Sequence, residues 1–314
     1  MDSVLKVLSF QGKTNYLLDP FIDRSVSNKI YFFYEKLITN IKLLQLYPNF
    51  RIDPDKLHEC LDSETSCIIL NQVCGLRGLE QPINQLYETV LQVNVEYNTD
   101  ILLIVDATLG AKRCQTMPRS DILIFNQYGT KSFSGSIAFF IERARQILSK
   151  ESNNSQQSME ELFIQEQPSY PEMVAMVESQ NFIKDLDDGL YIKDFNRLEH
   201  LQLLTSKFFH SLKTIPDLQF FGINSQCLEH NRGILCFAVP EKNLSNICTE
   251  LDKMAVYIEY KRLDELGYIS DINSPQSNLA KLLKYDRCIR VGIEWYIDEN
   301  DIKNFITLFK HYLK

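Results

Sequence analysis

Apolar residues gather along this chain in two kinds of pattern. The first is the short continuous run bounded by polar or turn-forming residues. "SCIIL", "DILLIVDA" and "DILIFNQ" are of this kind, and such runs predict strands buried on both faces. "GSIAFFIER" follows closely and predicts one more. The second pattern is helical. "GLEQPINQLYETVLQVNVEY" places Ile83, Leu86, Val90 and Val93 on one side, with the helix starting at Gln81-Pro82. Asp53-Pro54 combines a capping residue with a proline at the first helical position, which predicts a helix from Pro54 to Leu61. Strand, helix, strand with continuous apolar strands implies crossover connections. The fold class is therefore α/β, a mainly parallel sheet with helices on both faces.

The flanking regions read differently. "SVSNKIYFFYEKLITNIKLLQL" puts Phe32, Phe33, Leu37, Ile41 and Leu44 near helical spacing and predicts a helix. Residues 150–170 are polar and poor in glycine, and predict a surface excursion. "DFNRLEHLQLLTSKFFHSLKTI" predicts a long amphipathic helix stopped near Pro216. Beyond it, "RGILCFAVP" reads as a strand, "LSNICTELDKM" as a helix, and "AVYIEY" and "CIRVGIEW" as strands. "DENDIKNFITLFKHYLK" reads as a closing helix capped by Asp298. The organisation expected is a large α/β domain over residues 1–196, a connecting helix over 197–215, and a smaller α+β domain over 216–314.

Composition narrows the function. The net charge of −8 argues against a broad nucleic-acid-binding face, which needs clustered Lys and Arg. No apolar run approaches the ~18–20 residues of a membrane span, and the N-terminus lacks the apolar core of a signal peptide. The expectation is no nucleic-acid partner, no membrane and a cytosolic setting. None of the eight cysteines forms a CxxC and the five histidines do not cluster with them, so no metal site is expected. Buried reduced thiols fit their apolar surroundings. "FQGKT" lacks the glycine that a phosphate loop needs five positions before Gly12, where Val7 stands, so it reads as a turn.

Two strand ends could carry chemistry. Asp106 closes "ILLIVD", and Asn126 to Lys131 follow "ILIF". In open α/β sheets, ligands bind beyond the carboxyl ends of strands. An acid and a lysine there could hold pyridoxal phosphate (PLP), the acid at the pyridinium nitrogen and the lysine as Schiff base. Equally, Asp106 could cap the next turn and Lys131 could be solvated.

Longer segments extend this. "GLEQPI" is similar to a "G-x-x-Q-P-I" helix start, "VDATLGAKR" to a "VDAxQxxGK" strand end, and "DILIFNQYGTKSFSGSIAFFIER" to a cofactor-lysine segment. "NFRIDPDKLHECLDSETSCIIL", "NRLEHLQLLTSKFFHSLKTIPDLQFFG" and "CIRVGIEWYIDENDIKNFITLFKHYL" fit the same order. Together they resemble the NifS-like, cysteine desulfurase branch of the class V aminotransferases over most of residues 50–314. The opening residues, with "N-x-Y-G" replacing "GHK", resemble the NifS-like proteins of the African swine fever virus group. The resemblance implies a PLP-transferase-like three-layer α/β/α fold, here truncated, and a homodimer.

The resemblance also assigns residues. Asp106 stands at the pyridinium aspartate and Arg290 at the arginine that grips the substrate carboxylate through a bidentate fork. The glutamine for the phenolic oxygen is replaced by Leu109, and the asparagine before "GLEQPI" falls on Cys74 or Gly75. The Schiff-base lysine falls on Gly129, with Lys131 two residues later. The phosphate loop and ring-stacking histidine, expected before residue 45, have no counterpart. Gln167 and Tyr170 replace the Arg and Thr of a partner-subunit phosphate contact. Residues 257–287 contain no cysteine, although the persulfide cysteine of such enzymes lies there, and Cys288 reads as a buried thiol. Two readings follow. One is a catalytically inactive NifS-like protein, without PLP, acting through dimerisation or a protein partner, with aromatics such as Phe21, Tyr31, Phe32 and Phe33 offering a surface. The other is an active PLP-dependent transferase or lyase that uses Lys131, Asp106 and Arg290.

Overall fold

The computed structural model describes residues 15–22, 26, 30, 40–46, 51–114, 116–126, 136–149, 170–189, 196–239, 244–253, 258–262 and 287–313. Six strands form the larger sheet: β1 (Asn15–Leu18), β2 (Asn40–Leu43), β3 (Cys67–Asn71), β4 (Leu102–Asp106), β5 (Ile122–Asn126) and β6 (Ser136–Phe140). Their order is β2-β1-β3-β4-β5-β6. All neighbours are parallel except β5 and β6, which pair antiparallel with Asn126 opposite Ser136. The sheet is thus mainly parallel, as the apolar runs predicted.

The two-residue period of β3 and β4 separates two cores. Cys67, Ile69, Leu102 and Ile104 face one side, where α3 (Glu142–Ser149) adds Ala144, Ile147 and Leu148. Ile68, Leu70, Leu103 and Val105 face the other. There α1 (Pro54–Cys60) contributes Leu57, and α2 (Ile83–Tyr97) contributes Leu86, Val90 and Val93. Burying each such side chain is worth about 1.5–3 kcal/mol, which is why the strands tolerate no polar interruption. α1 begins as its sequence predicts. Asp53 Oδ1 accepts from the backbone N–H groups of Asp55 at 2.9 Å and Lys56 at 3.3 Å.

A second, antiparallel sheet follows in the order β7-β8-β10-β9. Its strands are β7 (Gln219–Phe220), β8 (Ile234–Ala238), β9 (Glu259–Arg262) and β10 (Arg287–Gly292). It packs against α5 (Arg197–Lys213) and α7 (Glu299–Leu313) around Phe208, Phe209, Phe237, Phe305 and Phe309. Phe305 and Phe309 stack, and Phe237 meets Phe309 edge-on. Asp298 caps α7 as expected, accepting from Asn300 and Asp301 N–H groups. α6 (Leu244–Lys253) completes this half.

Three features depart from the sequence expectation. Ile41 and Leu44 are expected in a helix, but Asn40–Leu43 form strand β2. Ile41 and Leu43 alternate with polar neighbours, and pairing to β1 satisfies their backbone groups. β1 itself is too short to show a period. α4 (Tyr170–Asp187) lies in a region with no strong apolar stripe, and Tyr170, Val174 and Val177 on it are exposed. The rest of the predicted N-terminal helix, the "FQGKT" turn and residues 150–169 lie outside the described residues. Among the described residues, no helix is long and apolar enough to cross a membrane.

Candidate active site

The carboxyl ends of β1, β3, β4 and β5 present Asp19, Asn71, Asp106 and Asn126 along one edge. Asn71 lies directly opposite Asp106 in the parallel register. The backbone N–H of Asp19 donates to the Ile69 carbonyl at 3.0 Å, which fixes the exit of β1 beside β3. Strand order reverses between β1 and β3, so this edge contains the switch point where a ligand crevice is expected. In this chain its own side chains occupy that place. Asn71 donates to the Phe21 carbonyl at 3.0 Å. The Arg77 guanidinium carbon lies 3.8 Å from the centroid of the Phe21 ring. Arg77 Nη2 stands 3.7 Å from Asp19 Oδ1, both side chains fully buried. Burial pushes the Asp19 carboxyl upward, against the lowering pull of Arg77. Phe21 is therefore core, whereas Tyr31, Phe32 and Phe33 lie outside the described residues.

Asp106 ends β4 and is 7% exposed. Its Oδ1 accepts the Thr108 N–H at 2.8 Å, a side-chain turn of the kind Asp forms readily. The next residues form a 3₁₀ turn, Gly110–Lys112, preceded by Leu109. A Cβ at Gly110 would lie 1.9 Å from Gln72 Oε1, so that side chain would have to move aside. Arg113 then turns inward. Its Nη1 donates to the carbonyls of Arg232 at 2.7 Å and Ile293 at 2.8 Å, and its Nη2 to Glu294 Oε1 at 2.6 Å. Burial draws this guanidinium below its ordinary value. Glu294 opposes that shift, and the nearby charge of Arg290 adds to it.

Arg290 sits on β10 opposite Glu259 of β9. Its Nη1 donates to Glu259 Oε2, and its Nε is buried with no hydrogen-bond partner. Glu294 and Asp298, the acidic residues that follow Arg290 most closely in sequence, are engaged elsewhere. Glu294 serves Arg113, and Asp298 caps α7. Arg113 thus stitches the exit of β4, which carries Asp106, to the exit of β10, which carries Arg290. Lys131 lies outside the described residues, in the 127–135 link between β5 and β6. Asp106 pairs with Ile124, two residues before Asn126, so the described part of β5 runs about 6–7 Å past the level of Asp106.

Sequence reasoning missed Asp19, Arg77, Arg113 and Arg197. Arg197, 2% exposed at the start of α5, makes a two-pronged contact with Asp187 at 2.8 Å for each prong. A buried arginine has no sequence period, so the one available signal for Arg113 was its place directly after the "VDATLGAK" strand end.

Five of the thiols resist ionisation. Cys67, Cys74, Cys114, Cys227, Cys236 and Cys288 are buried, and Cys60 and Cys248 are half-buried. Burial pushes up the thiols of Cys60, Cys114, Cys227, Cys236 and Cys248, that of Cys248 to about 11. A hydrogen bond with Cys288 raises Cys236 further. Among the described residues, no group of His, Cys, Asp and Glu could hold a metal ion.

The residues fit PLP incompletely. Asp106 closes β4 at the carboxyl edge of the larger sheet, and Arg290 lies on β10 of the other. Leu109, where the resemblance asks for a glutamine, offers the ring no hydrogen bond. Residues 13–74 contain no glycine, and no described turn in that stretch forms a cradle of backbone N–H groups for a phosphate. Cys74, one of the two positions aligned with the ring-contacting asparagine, spends its sulfur on Arg77, accepting from its Nε at 3.4 Å. The described residues thus supply only part of the contacts that the resemblance implies for the cofactor.

No family model matches the sequence, and no curated protein does. Solved structures match over 99% of the chain. A NifS-like protein superposes with a TM-score of 0.70 at 15% identity, covering 79% of its own length. The apo cysteine desulfurase of Thermococcus onnurineus NA1 gives 0.74 at 13% identity, with 76% of its length covered. A lysine-to-alanine mutant of C-DES, with glycine covalently linked to its PLP cofactor, gives 0.71 at 12%, with 79% covered. The chain has the PLP-transferase-like fold of these proteins and is shorter than each.

Proposed function

We propose that this chain is a NifS-like protein of the class V aminotransferase type that does not perform cysteine desulfurase chemistry and acts through binding, as a homodimer. One observation carries the proposal: no cysteine is both accessible and ready to ionise. Sulfur transfer to a cysteine requires a thiolate. Cys60 and Cys248 are the most accessible of the eight, and burial raises both. The poor fit of the described residues to PLP supports the same reading. Incubation with PLP and free cysteine is expected to release no sulfide. Borohydride reduction followed by mass spectrometry is expected to find no cofactor bound to lysine. Sulfide release above the PLP-only background would overturn the proposal. Sedimentation at micromolar concentration is expected to show a dimer, and a monomer would remove that part.

A second reading has one observation in its favour, the buried Arg290 Nε with no partner. Such a donor suits a substrate carboxylate. In that reading the chain is a PLP-dependent transferase or lyase, with Lys131 tethering the cofactor, Asp106 at the pyridinium nitrogen and Arg290 on the substrate. Visible absorbance after PLP addition that disappears in Lys131→Ala would favour it.

A further inference from the structure

We draw no further inference here: the strongest candidate, the exposed apolar face that Tyr170, Val174 and Val177 form on α4, carries no proposal because nothing among the described residues shows what covers it.

Discussion

Two buried arginines, Arg77 and Arg113, each follow the end of a parallel strand and each reach toward the antiparallel half. Arg113 is bonded through both Nη atoms, to two carbonyls and the Glu294 carboxylate within 2.8 Å, while its Nε is buried without a hydrogen-bond partner. Arg77 is packed. It lies over the Phe21 ring, and its carboxylate neighbour Asp19 is 3.7 Å away, beyond hydrogen-bond reach. Gly222 clears space for its stem, since a Cβ there would fall 2.3 Å from Arg77 Cγ. Asp19 Oδ2 is also buried without a hydrogen-bond partner. A buried guanidinium can thus be compensated by directed acceptors or by shape and a loosely placed charge. The first arrangement costs more to break, and the second is easier to replace with apolar side chains.

The contrast can be broken most forcefully at Arg113. Arg113→Met is expected to lower unfolding free energy by about 3 kcal/mol, read from urea denaturation, because it strands two carbonyls and leaves the half-buried Glu294 carboxylate with Lys112 at 3.7 Å. A loss below 1 kcal/mol would erase the distinction. Asp19→Leu is expected to cost about 3 kcal/mol by removing the carboxylate beside the buried Arg77 guanidinium. Combining it with Arg77→Met should recover most of that, so the double-mutant cycle reads strongly non-additive. Arg197→Lys, which removes the two-pronged contact with Asp187, should cost about 1–2 kcal/mol. The smallest effect is in pH. Because the folded-state Asp19 carboxyl lies above its unfolded value, the native state binds the extra proton. Wild-type stability should therefore rise relative to Asp19→Asn as pH falls through that raised value toward 3.8, and a constant difference would refute it.

How much of this was legible depends on locality. β3, β4 and β5 could be read because each is an apolar run with clear boundaries, and the buried face of α2 because Ile83, Leu86, Val90 and Val93 repeat at helical spacing. Asp53, Asp298 and the turn made by Asp106 act within three residues of themselves, so their roles were visible too. β1 and β2 were not, because four residues hold too little pattern and their pairing is decided by the fold. The partner of Arg290 was not legible because Glu259 is 31 residues away in sequence and adjacent only across the sheet. The partners of Arg113 lie farther still.

That separation has a bearing on synthesis. Arg113 leaves the ribosome 181 residues ahead of Glu294. At ~5–20 residues per second, its positive charge waits on the order of 10–40 s for its acceptor. The parallel strands are all translated long before that moment, so the nascent N-terminal half must keep this side chain hydrated and close around it only when the last strand arrives.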